Sequence, residues 1–464
     1  MTKEILSARR TALWDFFHSK TGVIGVVILL ILICMTLYAV TSVPLQSFQQ
    51  WNNPAYWIDY PKNAAPAWTN FLKFGQKMPE HIILTQKQAS TTTSFDHGIS
   101  TITHTYTVNY NYDSYPTDFM IPYSAKYGQT PPVLRIDVMR PDGKDFLIYD
   151  SALPPSLIGA TQNEYNNRIF STDSLITQNL GVYERLFNYL QDKTMPQVMI
   201  FSKTTYPAVL NGVYKWNERF YLFSSSDTVE TTGLILGGSV YGPMGTDELR
   251  RDLAVGIFWG APVALFIGLT VSLASVLIGL IYGIAAGYKG NRTDEGLMRI
   301  NDFFYSVPAL PILVIMSVLI GRSIFLIVGF LIIFGWIGTA KISRSLALQI
   351  KNLNYIEAAK LMGESDIKVI FKHIIPQLLP LTLASIALAV PAAILTEAAL
   401  SFLGLGDPSI PTWGQILHQA NSAEAAARGL WWWIIPPGLM IALTGLAFAL
   451  IGNAIESITN VRSR

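Results

Sequence analysis

Six apolar runs constrain this chain more than any other feature: Gly22–Ser42, Ile257–Ala285, Phe303–Ile320, Ile324–Ala340, Leu378–Leu403 and Leu430–Leu450. A helix needs roughly 20 apolar residues to cross a ~30 Å hydrocarbon core. Each run is long enough, or nearly so, and only Glu397 in the fifth puts an acid well inside one. The fold class expected is an all-α, multi-pass membrane core of six helices, interrupted by one large polar stretch. The first run is longer than the ~7–15-residue apolar part of a signal peptide, and no A-x-A-like site follows it. The second run is long enough to tilt or to extend beyond the lipid.

Composition agrees and excludes several classes. Half of the 464 residues are hydrophobic and 14% are charged, against about 25% charged in ordinary soluble domains. A net charge of +2 leaves no basic footprint for nucleic acid. A lone cysteine, Cys34, excludes a disulfide scaffold and a cysteine-based zinc site. The six histidines are scattered without ligand spacing, so no metal is expected. No G-x-x-x-x-G-K-[ST] loop is present, so the chain should not bind or hydrolyse ATP itself. The glycines from Gly283 to Gly290 tempt as such a loop, but Gly287-Tyr288-Lys289-Gly290 lacks the spacing and reads as a helix exit into a cytosolic turn.

The chain divides into a segment 1–21, a first span 22–42, a polar insert 43–244, a five-helix core 245–456 and a tail 457–464. The insert reads as a β-rich domain. Thr101–Tyr112 alternates, with Ile102, His104, Tyr106, Val108, Tyr110 and Tyr112 on one side. That tyrosine stripe is either the buried side of a sheet or a surface for stacking sugars. Val133–Met139 and Phe146–Tyr149 flank Pro141-Asp142-Gly143-Lys144, a hairpin signal. A helix is expected around Val182–Leu190.

Lys and Arg set the orientation. Segment 1–21, the loops 287–301 and 341–377, and the tail carry 4, 3, 6 and 2 basic residues. The opposite short loops carry Arg322 and Arg428. The positive-inside rule puts both termini in the cytoplasm, the chain in the cell membrane and the insert outside. Trp431-Trp432-Trp433 would open the last span as an outer aromatic belt.

The 341–377 loop is too long for a connector and too apolar for disorder. Tyr355–Met362 reads as a helix, Gly363 interrupts it, and Asp366–His373 reads as a second, with Ile367, Ile370 and Phe371 on one stripe. Pro376 precedes the fifth span. Two such helices form either a knob for a partner groove or an amphipathic linker on the membrane surface.

Glu357-Ala358-Ala359, then Gly363, then Pro376 resembles the EAA loop of ABC importer permeases. Gly245-Thr246-Asp247-Glu248 with Arg251-Asp252 resembles the stretch ahead of the second span in the peptide-transporter branch. Ser401-Phe402-Leu403-Gly404-Leu405-Gly406 with Pro411-Thr412-Trp413-Gly414 resembles that branch's loop after the fifth span. The resemblance is to the C-type permease subunit of dipeptide/oligopeptide ABC importers, and it does not cover the insert. It implies a MetI-like fold and a non-catalytic transport subunit. The partners implied are a second homologous permease, two ATP-binding cassette ATPases that bring ATP and Mg, and an extracytoplasmic substrate-binding protein. Glu357, Ala358, Ala359, Gly363 and Pro376 would couple the ATPases to the spans. Glu397 and Trp413 are candidates for the translocation pathway or its gate. A carboxylate inside a span is costly, so Glu397 should have a function, pair with Arg322 or Arg251, or lie close enough to the interface to reach water. Two alternatives remain: the same role in an oligosaccharide importer, and a membrane-anchored receptor with the insert as its working part.

Overall fold

The computed structural model describes residues 16–72, 76–155, 163–189 and 194–462. Lys3, Arg9, Arg10, Leu190 and Arg464 lie outside the described residues. The chain forms two compact units, 54–253 and 1–53 with 254–464.

The polar unit contains two antiparallel sheets. The strands are β1 (Ile82–Thr85), β2 (Ser90–Asp96), β3 (Ile99–Tyr110), β4 (Phe119–Tyr127), β5 (Val133–Met139), β6 (Asp145–Ala152), β7 (Asn163–Phe170), β8 (Gly212–Leu222) and β9 (Thr228–Leu236). One sheet has the order β1-β9-β4-β7 and the other β2-β3-β8-β5-β6. Their inner sides share one core, including Tyr106, Phe119, Phe146, Trp216 and Leu234. Alternation along β3 predicted this side correctly. Tyr106 and Tyr110 are fully buried, and their hydroxyls donate to Thr232 Oγ1 and the Ser114 carbonyl. The stripe is therefore core, and the sugar-stacking alternative fails because those rings are inaccessible. The β5–β6 hairpin turns at Gly143, whose φ of +78° suits a residue without a Cβ. The helix expected at Val182–Leu190 is displaced. Helix α2 is Ser174–Gly181, capped by Asp173, and only a short 3-10 turn follows at Glu184–Leu186. Val182 and Leu186 are exposed, while Phe187 is buried in the core.

The apolar unit is helical. Its helices are α1 (Lys20–Ser42), preceding α2 in the chain, then α3 (Leu253–Lys289), α4 (Asn291–Ser306), α5 (Ala309–Leu319), α6 (Ile324–Lys351), α7 (Asn354–Leu361), α8 (Asp366–Val369), α9 (Ile375–Phe402), α10 (Trp413–Ser422) and α11 (Ile435–Arg462). Among the described residues, five helices are long and apolar enough to cross a membrane, or six if the bent pair α4–α5 counts as one. That pair corrects the straight span expected at Phe303–Ile320. The helices meet at 72°. Pro308 lacks an amide hydrogen and forces Val307 into an extended conformation, φ −77° and ψ 126°.

Small residues seat the spans. Gly279, Gly283 and Gly287 repeat every fourth residue on α3, and α6 lies against them. A Cβ on these glycines would approach the carbonyl oxygens of Trp336, Ala340 and Arg344 to 2.6, 2.3 and 2.6 Å. This is close packing of the small-xxx-small kind. The helix exit read at Gly287–Gly290 is where α3 ends, at Lys289, with Gly290 at φ +67°. Trp432 and Trp433 are buried and Trp431 alone is exposed, which corrects the aromatic-belt reading. Their place is inside the helical unit, where indole area adds to packing.

Candidate functional site

The 341–377 segment is shorter as a loop than its sequence suggests. Residues 341–351 continue α6, so only 352–365 leave the long helices. Helix α7 matches the first predicted helix within a residue. The second is not separate: α8 passes through a π turn at Ile370–Ile374 directly into α9. Pro376 directly follows the π turn inside this continuous helix, so its missing N–H falls where the regular helical ladder is already interrupted.

Helix α7 divides its residues cleanly. Ile356 is buried in a cluster with Val369, Ile374, Leu378, Leu280 and Ile350, and Ala359 is buried too. Glu357 and Ala358 are exposed. Leu361, Met362, Ile367 and Phe371 are also exposed, by 84%, 79%, 71% and 67%. Ile370 is half-buried and packs on the inner cluster, so the expected stripe splits in two. An exposed carboxylate thus sits on a small segment that also presents four large apolar side chains.

Gly363 ends α7. Its amide donates to the Lys360 carbonyl at 2.9 Å, and the Glu364 amide donates to Ala359 at 3.1 Å. With φ +86° at Gly363, this is a Schellman stop, which satisfies carbonyls that a helix end would leave open. Gly363 is thus both the stop and the bend.

Side chains outside the motif positions hold the segment. Tyr288, near the end of α3, donates to Asp366 Oδ1 at 2.7 Å, and Lys360 Nζ lies 4.5 Å from its ring centroid. Lys351 Nζ donates to the Gly287 carbonyl at 2.9 Å. Glu364 Oε1 accepts from Lys372 at 2.9 Å and lies 3.2 Å from Lys368, while Oε2 lies 2.8 Å from His373 Nε2. Hydrogen bonds from Lys372 and then His373 hold the Glu364 carboxyl down to about 2.

Glu397 is buried on α9. Ser401 Oγ donates to Glu397 Oε1 at 2.6 Å, and the Thr412 side chain is a second hydrogen-bonding neighbour. Neither expected arginine serves it: Arg251 pairs with Asp247, and among the described residues Arg322 makes no ion pair with Glu397. Nor does it reach water, since the residue is only 4% exposed. Trp413 is buried, and its indole N–H donates to the Ile257 carbonyl at 3.0 Å. Gly260 makes room for that ring; a Cβ there would approach Nε1 to 2.3 Å. The loop around it is equally tight. Cβ atoms on Gly406 and Gly414 would meet Ser401 Oγ at 2.2 Å and Ala398 Cα at 2.6 Å. Thr412 caps α10 by accepting from the Gln415 amide.

In the polar unit, Asp247 and Arg251 are a fully buried ion pair 2.6 Å apart. Asp247 Oδ1 also accepts the amides of Leu249 and Arg251. Thr246 Oγ1 accepts from the Ala64 amide and donates to the Pro61 carbonyl. The GTDE-x-x-RD stretch is thus closed on itself by Asp247 and Arg251 and tied by Thr246 to Pro61 and Ala64.

A bundle of long apolar helices with a clamped helical corner defines an integral membrane protein class. Residues 276–462 match the family described as binding-protein-dependent transport system inner membrane component. The chain is 37% identical over 221 residues to the dipeptide transport system permease protein DppC of Bacillus subtilis, covering 47% of this chain and 68% of that one. It is 36% identical to the oligopeptide transport system permease protein OppC of the same organism, covering 47% and 72%. A solved inward-facing MetNI methionine ABC transporter chain aligns with TM-score 0.35 and 18% identity, covering 43% of this chain and 94% of that one. The chain belongs to this permease family of ABC importers and is a non-catalytic membrane transport subunit. Subunits of this class work with ATPase and other transporter subunits. The receptor alternative is not favoured.

Proposed function

We propose that this chain forms half of the translocation pathway of an ATP-driven peptide importer. Dipeptide and oligopeptide transport, named for its relatives, supports the substrate class. A second homologous permease completes the pathway. Two cytosolic ATPases bind ATP and Mg, and an extracytoplasmic binding protein delivers the solute. Both termini lie in the cytoplasm and the β-rich unit outside, as the basic loops suggest. Segments 1–21, 22–42, 43–244, 245–456 and 457–464 keep these roles in order along the chain.

The observation that carries this reading is the α7 surface. Glu357 and Ala358 are exposed beside Leu361 and Met362, while Ile356 and Ala359 anchor the helix from behind. Ala358 lets an ATPase cleft approach the backbone, Glu357 offers it a carboxylate, Gly363 sets the bend, and Pro376 marks where the π turn passes into the fifth span. Glu397 and Trp413 act on the gate from behind the pathway wall, by fixing α9 and α10 to α3. Ala358→Asp tests the reading. The variant should insert normally and lose ATPase co-purification and uptake. Unchanged uptake would refute the assignment of this surface.

A further inference from the structure

Gly363 is a weak corner. Its φ is +86°, and nothing lies within 4 Å of where its Cβ would be. A push delivered to α7 is lost there unless something ties the two sides together. Apolar contact of Ile356 with Val369 and Ile374 supplies part of the tie. Such contact is non-directional and allows sliding. Tyr355, whose hydroxyl donates to Gln377 Oε1 at 2.5 Å, supplies one directional bond across the corner.

Glu364 supplies the rest, because its amide donates to the Ala359 carbonyl of α7 at 3.1 Å while its carboxylate is held by the helix on the far side. It is the residue after the corner, and its side chain is only 11% exposed. Its two oxygens are shared among Lys368, Lys372 and His373, which lie four, eight and nine residues on. These three lie on α8 and the π turn, two turns of one continuous helix leading into α9. A carboxylate before a helix N-terminus also suits the positive end of the helix dipole. With both oxygens engaged, the carboxylate fixes the peptide at the corner relative to the axis of the fifth span.

We infer that Glu364 is a positioning residue that makes the α7 knob and the fifth span one rigid lever, so that ATPase closure moves the span instead of bending the corner. Tyr288, holding Asp366 and Lys360, extends the lever to the second span. The inference rests on the coupling role proposed above and adds a residue with no direct part in ATPase contact. It separates docking from transmission: Glu357 and Ala358 dock, and Glu364 transmits.

The test uses the full transporter with Glu364→Gln and Glu364→Asp. Two readouts are taken from each: ATPase co-purification, and uptake per ATP hydrolysed. The Gln variant should keep co-purification and lose uptake per ATP about tenfold, within the range of an ordinary coupling free energy. The Asp variant should recover most of it. A third readout is independent of activity. Spin labels at Leu361→Cys and Leu379→Cys, in a Cys34→Ser background, report the distance across the corner. Its distribution should broaden in the Gln variant and stay narrow in the Asp variant. Unchanged uptake per ATP and an unchanged width in the Gln variant would overturn the inference. Loss of co-purification in that variant would also overturn it, because Glu364 would then act on docking. Failure of the unsubstituted chain to bring down an ATPase would remove the coupling reading itself, and the lever with it.

Discussion

Glu218 is a buried acid in the middle of a sheet, and its titration should govern the stability of the polar unit. It is 1% exposed and lies opposite His104 across the β3–β8 ladder. Thr232 from the facing sheet donates to its Oε2, and Tyr106 donates in turn to Thr232. Its Oε1 and the neighbouring His104 Nε2 have no partner among the described residues. Burial pushes the Glu218 carboxyl from 4.5 up to about 8, with the Thr232 hydrogen bond opposing it. Because the folded value is raised, the stabilising contribution is complete below pH 4.5 and is lost as pH rises through 8. His104 acts with the opposite sign: burial lowers its value below 6.5, so its contribution is present above 6.5 and falls in acid. Between pH 6.5 and 8.5 the glutamate therefore dominates. At about 1.4 kcal/mol per pH unit, tapering as the folded group ionises, the loss is about 2 kcal/mol. For a unit of this size that is about 5 °C in Tm. Scanning calorimetry of the full chain in detergent at the two pH values reads it directly. Glu218→Gln removes the titration and should flatten the slope of that transition. Equal slopes in the two proteins would refute the reasoning.

Three further outcomes are expected. Gly283→Leu puts a side chain where even a Cβ lies 2.3 Å from the Ala340 carbonyl, so α3 and α6 should separate. The readout is loss of the monodisperse species in size-exclusion chromatography, with Gly329→Leu, whose site has open space, as the tolerated comparison. Arg251→Ala leaves Asp247 buried without its cation, a loss of about 3–5 kcal/mol visible as a lowered unfolding temperature. Glu357→Lys reverses the charge on the exposed side of α7. It should abolish ATPase co-purification without changing the Tm by more than about 1 °C, as surface substitutions usually behave.

The legible parts of this chain were those with a strict period or a strict composition. Long charge-free runs placed most of the spans, and the alternation of Tyr106, Val108 and Tyr110 placed a core strand. The bent α4–α5 pair was not legible as a bend, because Pro308 is tolerated within many membrane helices. The Gly279-Gly283-Gly287 repeat was hidden because glycine marks helix ends as often as close helix contacts. In the 341–377 segment, Ala359 and Gly363 were recognisable by spacing. Tyr288, Lys360, Glu364 and Asp366 were not, because their partners lie on other helices or across a corner that sequence order does not reveal. Glu397 was visible as an oddity, but its partner Ser401 is one turn away and looks like any span serine.

Affinity purification of the tagged chain from native membranes in mild detergent, followed by mass spectrometry, tests the central claim most directly. The account predicts a second multi-span permease and one or two nucleotide-binding subunits, of which only the nucleotide-binding subunits are lost from the Ala358→Asp preparation. Recovery of the chain alone, or with a kinase or envelope protein in place of an ATPase, would contradict it.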